Sequence, residues 1–105
     1  MLPQDYKIVS ELKESLSEFV EVIDLRVFGS RASDKADEFS DLDVFLEVPR
    51  IDKALKERLW EVAWKVGFEN ERVISLLVFT KEEIENSPLR ASPIVLNIFR
   101  EGIKV

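Results

Sequence analysis

The stretch that most constrains how this chain can fold is residues 27–46, which read VFGSRASDKADEFSDLDVFL. An apolar strand ends at Gly29-Ser30, a polar segment follows, and a second strand begins with Asp41 and Asp43. The end of the first strand and the start of the second meet only if the two strands pair antiparallel. The sequence therefore predicts an antiparallel pair that brings a Gly-Ser turn and two carboxylates into one pocket.

The second strand has one face suited to packing in a core and one suited to binding a ligand, because its side chains alternate over residues 41–48. The apolar set is Leu42, Val44, Leu46 and Val48, and the opposite set is Asp41, Asp43, Phe45 and Glu47. We expect helices to cover the apolar face and the carboxylate face to stay open to a ligand. Glu47 lies about 13 Å further along the strand than Asp43, which is too far to share one metal ion.

The rest of the sequence supplies the elements that surround this pair. Helical spacing of apolar residues and N-capping signals predict the helices, and alternation predicts the strands. The predicted helices are residues 4–20, 52–66, a short one after Thr80, and 93–101; the strands are 22–30, 41–48 and 72–80, with a short polar helix or loop at 31–40. Over 105 residues, this order predicts a single α/β (α+β) domain, a small mixed sheet with helices packed on one face.

Composition excludes several classes of site and partner. The chain has no cysteine and no histidine, so thiolate and imidazole chemistry are absent and any metal must be a hard cation on carboxylates. A net charge of −6 argues against a broad surface for duplex nucleic acid. The sequence has no long apolar run or leader, so we expect a cytoplasmic protein without a membrane span. Its richness in Glu and Lys leans toward a thermophilic source and leaves a mesophilic one open.

The residue types in the predicted pocket suit phosphate and metal. Gly29 lets the backbone approach a phosphate closely, Ser30 supplies a hydroxyl and an N–H, and Arg31 adds positive charge. Asp41 and Asp43 point the same way, about 7 Å apart along the strand, an arrangement that suits Mg²⁺ completed by substrate phosphates. The combination predicts metal-assisted nucleotidyl or phosphoryl transfer. The same residues also fit an ordinary turn beside a solvated strand face.

The charged side chains of the polar segment carry a weaker signal than the pocket. Arg31 and Lys35 either contact phosphate or are simply solvated. Asp34, Asp37 and Glu38 are expected to face solvent.

The segment FGSRASDKADEFSDLDVFLEV resembles the nucleotidyltransferase superfamily of the DNA polymerase beta type, and is most similar to minimal nucleotidyltransferase (MNT) domains. The ending NIFREGIKV is similar to that group as well. The resemblance implies a polymerase beta palm-like fold that uses Mg²⁺ or Mn²⁺ with ATP or another nucleoside triphosphate. It identifies Gly29 and Ser30 with the triphosphate-binding pair, and Asp41 and Asp43 with the catalytic metal ligands. It also implies a helical HEPN toxin as partner, because such domains serve as antitoxins, some by attaching AMP to a toxin tyrosine.

The third predicted strand departs from the family pattern. Active relatives carry a third carboxylate there, which assists the acceptor hydroxyl, and Ser75 occupies that place in this sequence. Glu69 and Glu71 precede the strand and substitute only if the loop folds back. The alternative to an active transferase is therefore a weak or inactive nucleotide-binding antitoxin that acts by docking its partner.

Aromatic residues fall outside the main apolar stripes. Trp60, Trp64 and Phe68 recur every fourth position of the second long helix, where they either widen the core or form an exposed ridge. Phe45 and Phe79, on the carboxylate face of the sheet, are likewise either part of a core or exposed. A second copy of the chain or a partner protein is expected to cover aromatics that the chain itself cannot.

Overall fold

The structure, a computed structural model, describes residues 1–32 and 41–105. The elements are α1 (Pro3–Ser17), β1 (Asp24–Phe28), β2 (Leu42–Val48), α2 (Lys53–Glu69), β3 (Ile74–Thr80), α3 (Lys81–Asn86), α4 (Pro93–Glu101) and β4 (Ile103–Lys104), with 3₁₀ turns at Gly29–Arg31 and Pro88–Ala91. The predictions for residues 33–40, including those for Lys35, Asp34, Asp37 and Glu38, lie outside the described residues. None of the helices in the described part has both the length and the apolar character that crossing a bilayer requires.

The strands form one mixed sheet in the order β3-β2-β1-β4. β1 pairs antiparallel with β2 and with β4, and β2 pairs parallel with β3. The predicted mixed sheet of an α+β fold and the antiparallel β1–β2 pair are confirmed. Strand β4 was not predicted, because two residues are too few to show alternation.

The sequence predicts that α2 ends at about residue 66, with Gly67 as its stop, but the helix runs on to Glu69. The chain reverses instead at Glu71, whose φ of 55° places it in the left-handed region that usually favours glycine. Gly67 is needed for a different reason. A Cβ built there would lie 2.6 Å from the carbonyl oxygen of Arg72, where the chain returns from the helix.

Helices α1 and α2 cover the predicted apolar face of the sheet. The four apolar side chains of β2 on this face are completely buried. They pack with one stripe from each helix, namely Ile8, Val9, Leu12 and Leu16 from α1 and Leu59, Ala63 and Val66 from α2. Each fully buried aliphatic side chain contributes about 1.5–3 kcal/mol, so this layer is the main source of stability.

The opposite face of the sheet is open only in part, which corrects the prediction that helices pack on one face. Phe45 and Phe79 are buried there against Val95 and Ile98 of α4. The centroids of the Phe45 and Phe99 rings are 5.3 Å apart, and the two rings meet edge to face. The short helix α4 therefore covers the aromatic end of this face within the same chain and leaves the aspartate end exposed.

Glu47 lies on the same face of β2 as Phe45, two residues further along the strand, and is only 7% exposed. Burial raises its pKa, and the charges of Asp24 and Glu85 raise it further, whereas Lys81 and Arg26 lower it. The folded protein therefore holds this proton more tightly than the unfolded chain, whose carboxyl has a pKa near 4.5. The free energy of unfolding should fall as the pH rises from this value through the raised pKa.

We expect the Glu47→Gln variant to be more stable than the wild type at pH 7, and the difference to vanish below pH 4.5. The reason is that glutamine removes the buried charge while it keeps the size of the side chain. Urea denaturation over a pH series measures the effect, with the exposed Glu14→Gln as control. A variant that is less stable than the wild type at neutral pH would show that Arg26 and Lys81 outweigh burial.

Candidate functional site

The predicted turn and one of the predicted aspartates lie close together. The β1–β2 register places Phe28 opposite Asp43, so the chain turns at Gly29 beside that carboxylate. Gly29 has a φ of 74°, and a Cβ built on it would lie 2.8 Å from Asp43 Oδ2. Glycine is thus required twice, by the backbone conformation and by the closeness of the carboxylate. The structure brings the turn and Asp43 together as the sequence predicted.

The two aspartates sit at the open end of the sheet. Asp41 is exposed just before β2, and Asp43 is half-buried in the second position of the strand. Burial raises the pKa of Asp43, and the charge of Asp41 raises it further. The ionised pair is therefore unfavourable on its own, and a cation between the two carboxylates would relieve it.

The donor set fits Mg²⁺ only if the substrate supplies part of the coordination shell. Among the described residues, no group of three or more Asp, Glu, His or Cys side chains is placed to hold a metal ion. Two carboxylates remain, Asp41 and Asp43. Mg²⁺ is commonly held by one or two carboxylates together with substrate phosphates and water, and this pair meets that requirement.

Arg31 has a different position from the one predicted. It follows Ser30 in the 3₁₀ turn but is only 2% exposed. Its Nη1 lies 3.5 Å from Oδ2 of Asp5 in the first turn of α1, and both side chains are essentially buried. Of the two alternatives that the sequence left open for Arg31, solvation is wrong, and contact with a phosphate stays a prediction. It joins the Gly-Ser turn to α1.

Ser75 occupies the place that the sequence assigned to it. The β2–β3 register sets Asp43 beside Ser75, and residues in register on neighbouring strands share one face of the sheet. Ser75 is exposed. Glu69 ends α2 and Glu71 lies in the following turn, both exposed, and neither belongs to a metal-binding group within the described residues. The position next to Asp43 therefore carries a hydroxyl.

A family model described as Nucleotidyltransferase domain matches residues 9–105 of this chain. The chain belongs to this family. The match spans the candidate site, since it includes β1, the turn, β2 and β3. No curated protein matches the chain.

Two solved structures show the same fold as this nucleotidyltransferase domain. One is a crystal structure of a toxin–antitoxin with AMP-PNP, with a TM-score of 0.64 and 18% identity over 98% of this chain and 72% of the other. The second is a mutant of the toxin–antitoxin MntA-HpeT in which two aspartates are replaced by glutamate. Its TM-score is 0.61, with 17% identity over 95% of this chain and 70% of the other. At these identities the likeness shows the fold alone.

Asp5 is the residue of this nucleotidyltransferase domain that sequence reasoning missed. It is completely buried, and its two carboxylate oxygens accept no hydrogen bond in the described part of the chain. A signal was present, because Asp5 precedes Ile8 and Val9 by three and four positions and so lies on the apolar stripe of α1. An acidic residue on an apolar stripe calls for a buried cation, and Arg31 is that cation.

Proposed function

We propose that this chain is a Mg²⁺- or Mn²⁺-dependent nucleotidyltransferase that transfers a nucleotide, from ATP or another nucleoside triphosphate, to a hydroxyl group on a partner protein. The observation that carries the proposal is the close approach of the turn at Gly29 to the Asp43 carboxylate. It joins a turn without side-chain bulk to a half-buried carboxylate. A triphosphate can approach the backbone at Gly29 while its oxygens remain within reach of a metal ion held by Asp43.

Each residue of the pocket has a defined task in this reaction. Asp41 and Asp43 would hold the metal ion, which would supply stabilisation of negative charge on the phosphate and the leaving group. The turn at Gly29 and Ser30 orients the triphosphate through its backbone and the serine hydroxyl. The acceptor hydroxyl attacks the α-phosphorus, pyrophosphate leaves on the opposite side, and the hydroxyl proton passes to solvent or to a base.

The structural neighbours support a nucleotide and a toxin as partners, and the resemblance of the sequence to MNT domains suggests that the toxin is of the HEPN class. One neighbour is a toxin–antitoxin with AMP-PNP, an ATP analogue. In the other, the two mutated aspartates are two positions apart, the spacing of Asp41 and Asp43 here. We therefore propose that the chain acts as the antitoxin of such a pair and modifies its toxin.

Ser75 favours a second candidate function. With a hydroxyl beside Asp43, the described residues offer two carboxylates for metal and nucleotide but no third one to accept the acceptor's proton. The chain would then bind nucleotide with little transfer and would silence its partner by docking. Incubation with labelled ATP, with and without the product of the adjacent gene, separates the two functions, because only transfer leaves label on the partner.

We expect calorimetry with ATP and Mg²⁺ to show binding by the wild type that the variant Asp41→Asn/Asp43→Asn loses. The physical reason is that neutral amides would hold Mg²⁺ far more weakly than the two carboxylates, and Mg-ATP would lose its ligands on the protein. The variant Glu14→Gln/Glu18→Gln is the matched control, since it removes the same charge from exposed positions outside the pocket. Equal binding by the asparagine variant would take the two carboxylates out of the nucleotide site.

A further inference from the structure

The two edges of the sheet are built differently. β4 has two residues, one of which is Lys104, so this edge is short and charged. β3 has seven residues, ISLLVFT, without a charged side chain or proline. Short length, charge and proline are the usual means by which proteins keep an edge strand from pairing with another chain. The β3 edge has none of them, and no strand of the described residues pairs with its outer side.

The backbone groups on the outer side of β3 follow from its register with β2. Leu42 N–H donates to the carbonyl oxygen of Val73 at 2.8 Å, and Leu42 is in register with Ile74. In a parallel ladder, alternate residues bond to one neighbour, so the groups of Ile74, Leu76 and Val78 point away from β2. They form a regular row of donors and acceptors along the edge.

An exposed aromatic ridge on α2 lies beside this edge. The ridge consists of Trp60, Trp64 and Phe68, which are 40%, 67% and 70% exposed. The rings of Trp64 and Phe68 stack with centroids 5.2 Å apart. The ridge lines a groove of about 630 Å³ whose other wall includes Val73 and Ile74, at the start of β3. Of the two interpretations that the sequence left open, the exposed ridge is correct.

We propose that a second copy of this chain pairs its β3 antiparallel to this β3 around a two-fold axis, and so joins the two sheets into one. In this arrangement the two α2 helices lie side by side on the same face of the joined sheet. The strands would be about 4.8 Å apart and the helices roughly 8–10 Å apart, the ordinary packing distances for such elements. One contact thus occupies the strand edge and covers the ridge.

The charges along the groove favour a second copy as the occupant. Glu57 and Glu61 lie toward the start of α2, and Arg72 lies at the other end of the groove. A two-fold axis reverses the direction of the second groove, so that the acidic end of each copy faces the basic end of the other. The same reversal sets Trp60 against Phe68 of the second copy and places Trp64 near the axis. The surface is self-complementary, as a two-fold interface requires.

The test is sedimentation of the purified full chain, which we expect to show a dimer that forms between about 1 and 100 µM. Trp64→Glu should weaken the dimer at least tenfold, about the effect of removing an aromatic anchor from an interface centre. Val78→Pro should weaken it similarly, because proline removes an outward N–H without removing a bond to β2. Leu96→Glu is the control, because it also replaces an exposed apolar side chain (54% exposed, on α4) with glutamate. It should leave the dimer unchanged.

The emission of Trp60 and Trp64 provides a second readout, because the chain has no other tryptophan. We expect the emission maximum to shift to shorter wavelength as the dimer forms. A wild type that stays monomeric at the highest concentration overturns the proposal. The same holds if the tryptophans become buried only when a partner toxin is added. A dimer that is as stable with Trp64→Glu as without it overturns the proposal too. None of these results depends on nucleotide binding, so they stand apart from the proposed activity.

Discussion

Replacement of Arg31 by methionine should lower the free energy of unfolding by about 3–5 kcal/mol, the usual cost of breaking a buried ion pair by removing one partner. Methionine keeps much of the side-chain volume but leaves the Asp5 carboxylate buried without its cation. Asp5 is completely buried and accepts no hydrogen bond within the described residues, so little else there offsets its charge. Urea denaturation of the wild type and the variant at pH 7 measures the difference.

Two further variants decide whether the ion pair is responsible. Arg90→Met removes an exposed guanidinium, which donates to the carbonyl oxygen of Glu85, and should cost at most about 1 kcal/mol. The double variant Asp5→Leu/Arg31→Met replaces both charges with apolar groups and should recover most of the lost stability. If the double variant is as unstable as Arg31→Met alone, the loss arises from packing around Arg31 rather than from the charge of Asp5.

The ion pair also shows where prediction from the sequence reached its limit. The Gly-Ser turn, Asp41 and Asp43 were predictable because the alternation of β2 and the chain order leave few ways to pair the strands. The burial of Arg31 was not predicted, because a cation in a polar segment is ordinarily solvated. Its partner lies in the first turn of α1, far away in sequence, and only the packing of that helix on the sheet brings the two together.

The second face of the sheet was mispredicted for a related reason. Phe45 and Phe79 were identified as aromatics in need of cover, but α4 was not recognised as the element that covers them. Its predicted bounds, residues 93–101, are correct, yet a nine-residue helix carries no information about which face it will occupy. The two-residue strand β4, which follows α4 and pairs with β1, fixes its place, and so short a strand has no pattern to detect.

The variant Ser75→Asp should increase nucleotide transfer to a partner hydroxyl by about 10²–10⁴-fold, the usual contribution of a positioned general base. The register sets residue 75 beside Asp43, so the new carboxylate would lie on the face of the sheet that carries the proposed metal site. Ser75 is exposed, and the substitution should therefore leave the fold intact. The metal ion should bind more tightly, because it gains a third carboxylate within reach.

The single-turnover rate with labelled ATP and the partner toxin, compared between wild type and variant, measures this effect. Ser75→Asn is the matched control, since asparagine has the shape of aspartate but cannot accept the proton at neutral pH; it should not increase the rate. A wild type already as fast as Ser75→Asp would show that another group accepts the proton, and Glu69 and Glu71 are then the first residues to substitute. A variant that binds Mg-ATP more tightly but transfers no faster would show that Ser75 limits metal affinity rather than proton transfer. That outcome would favour the docking antitoxin over the transferase.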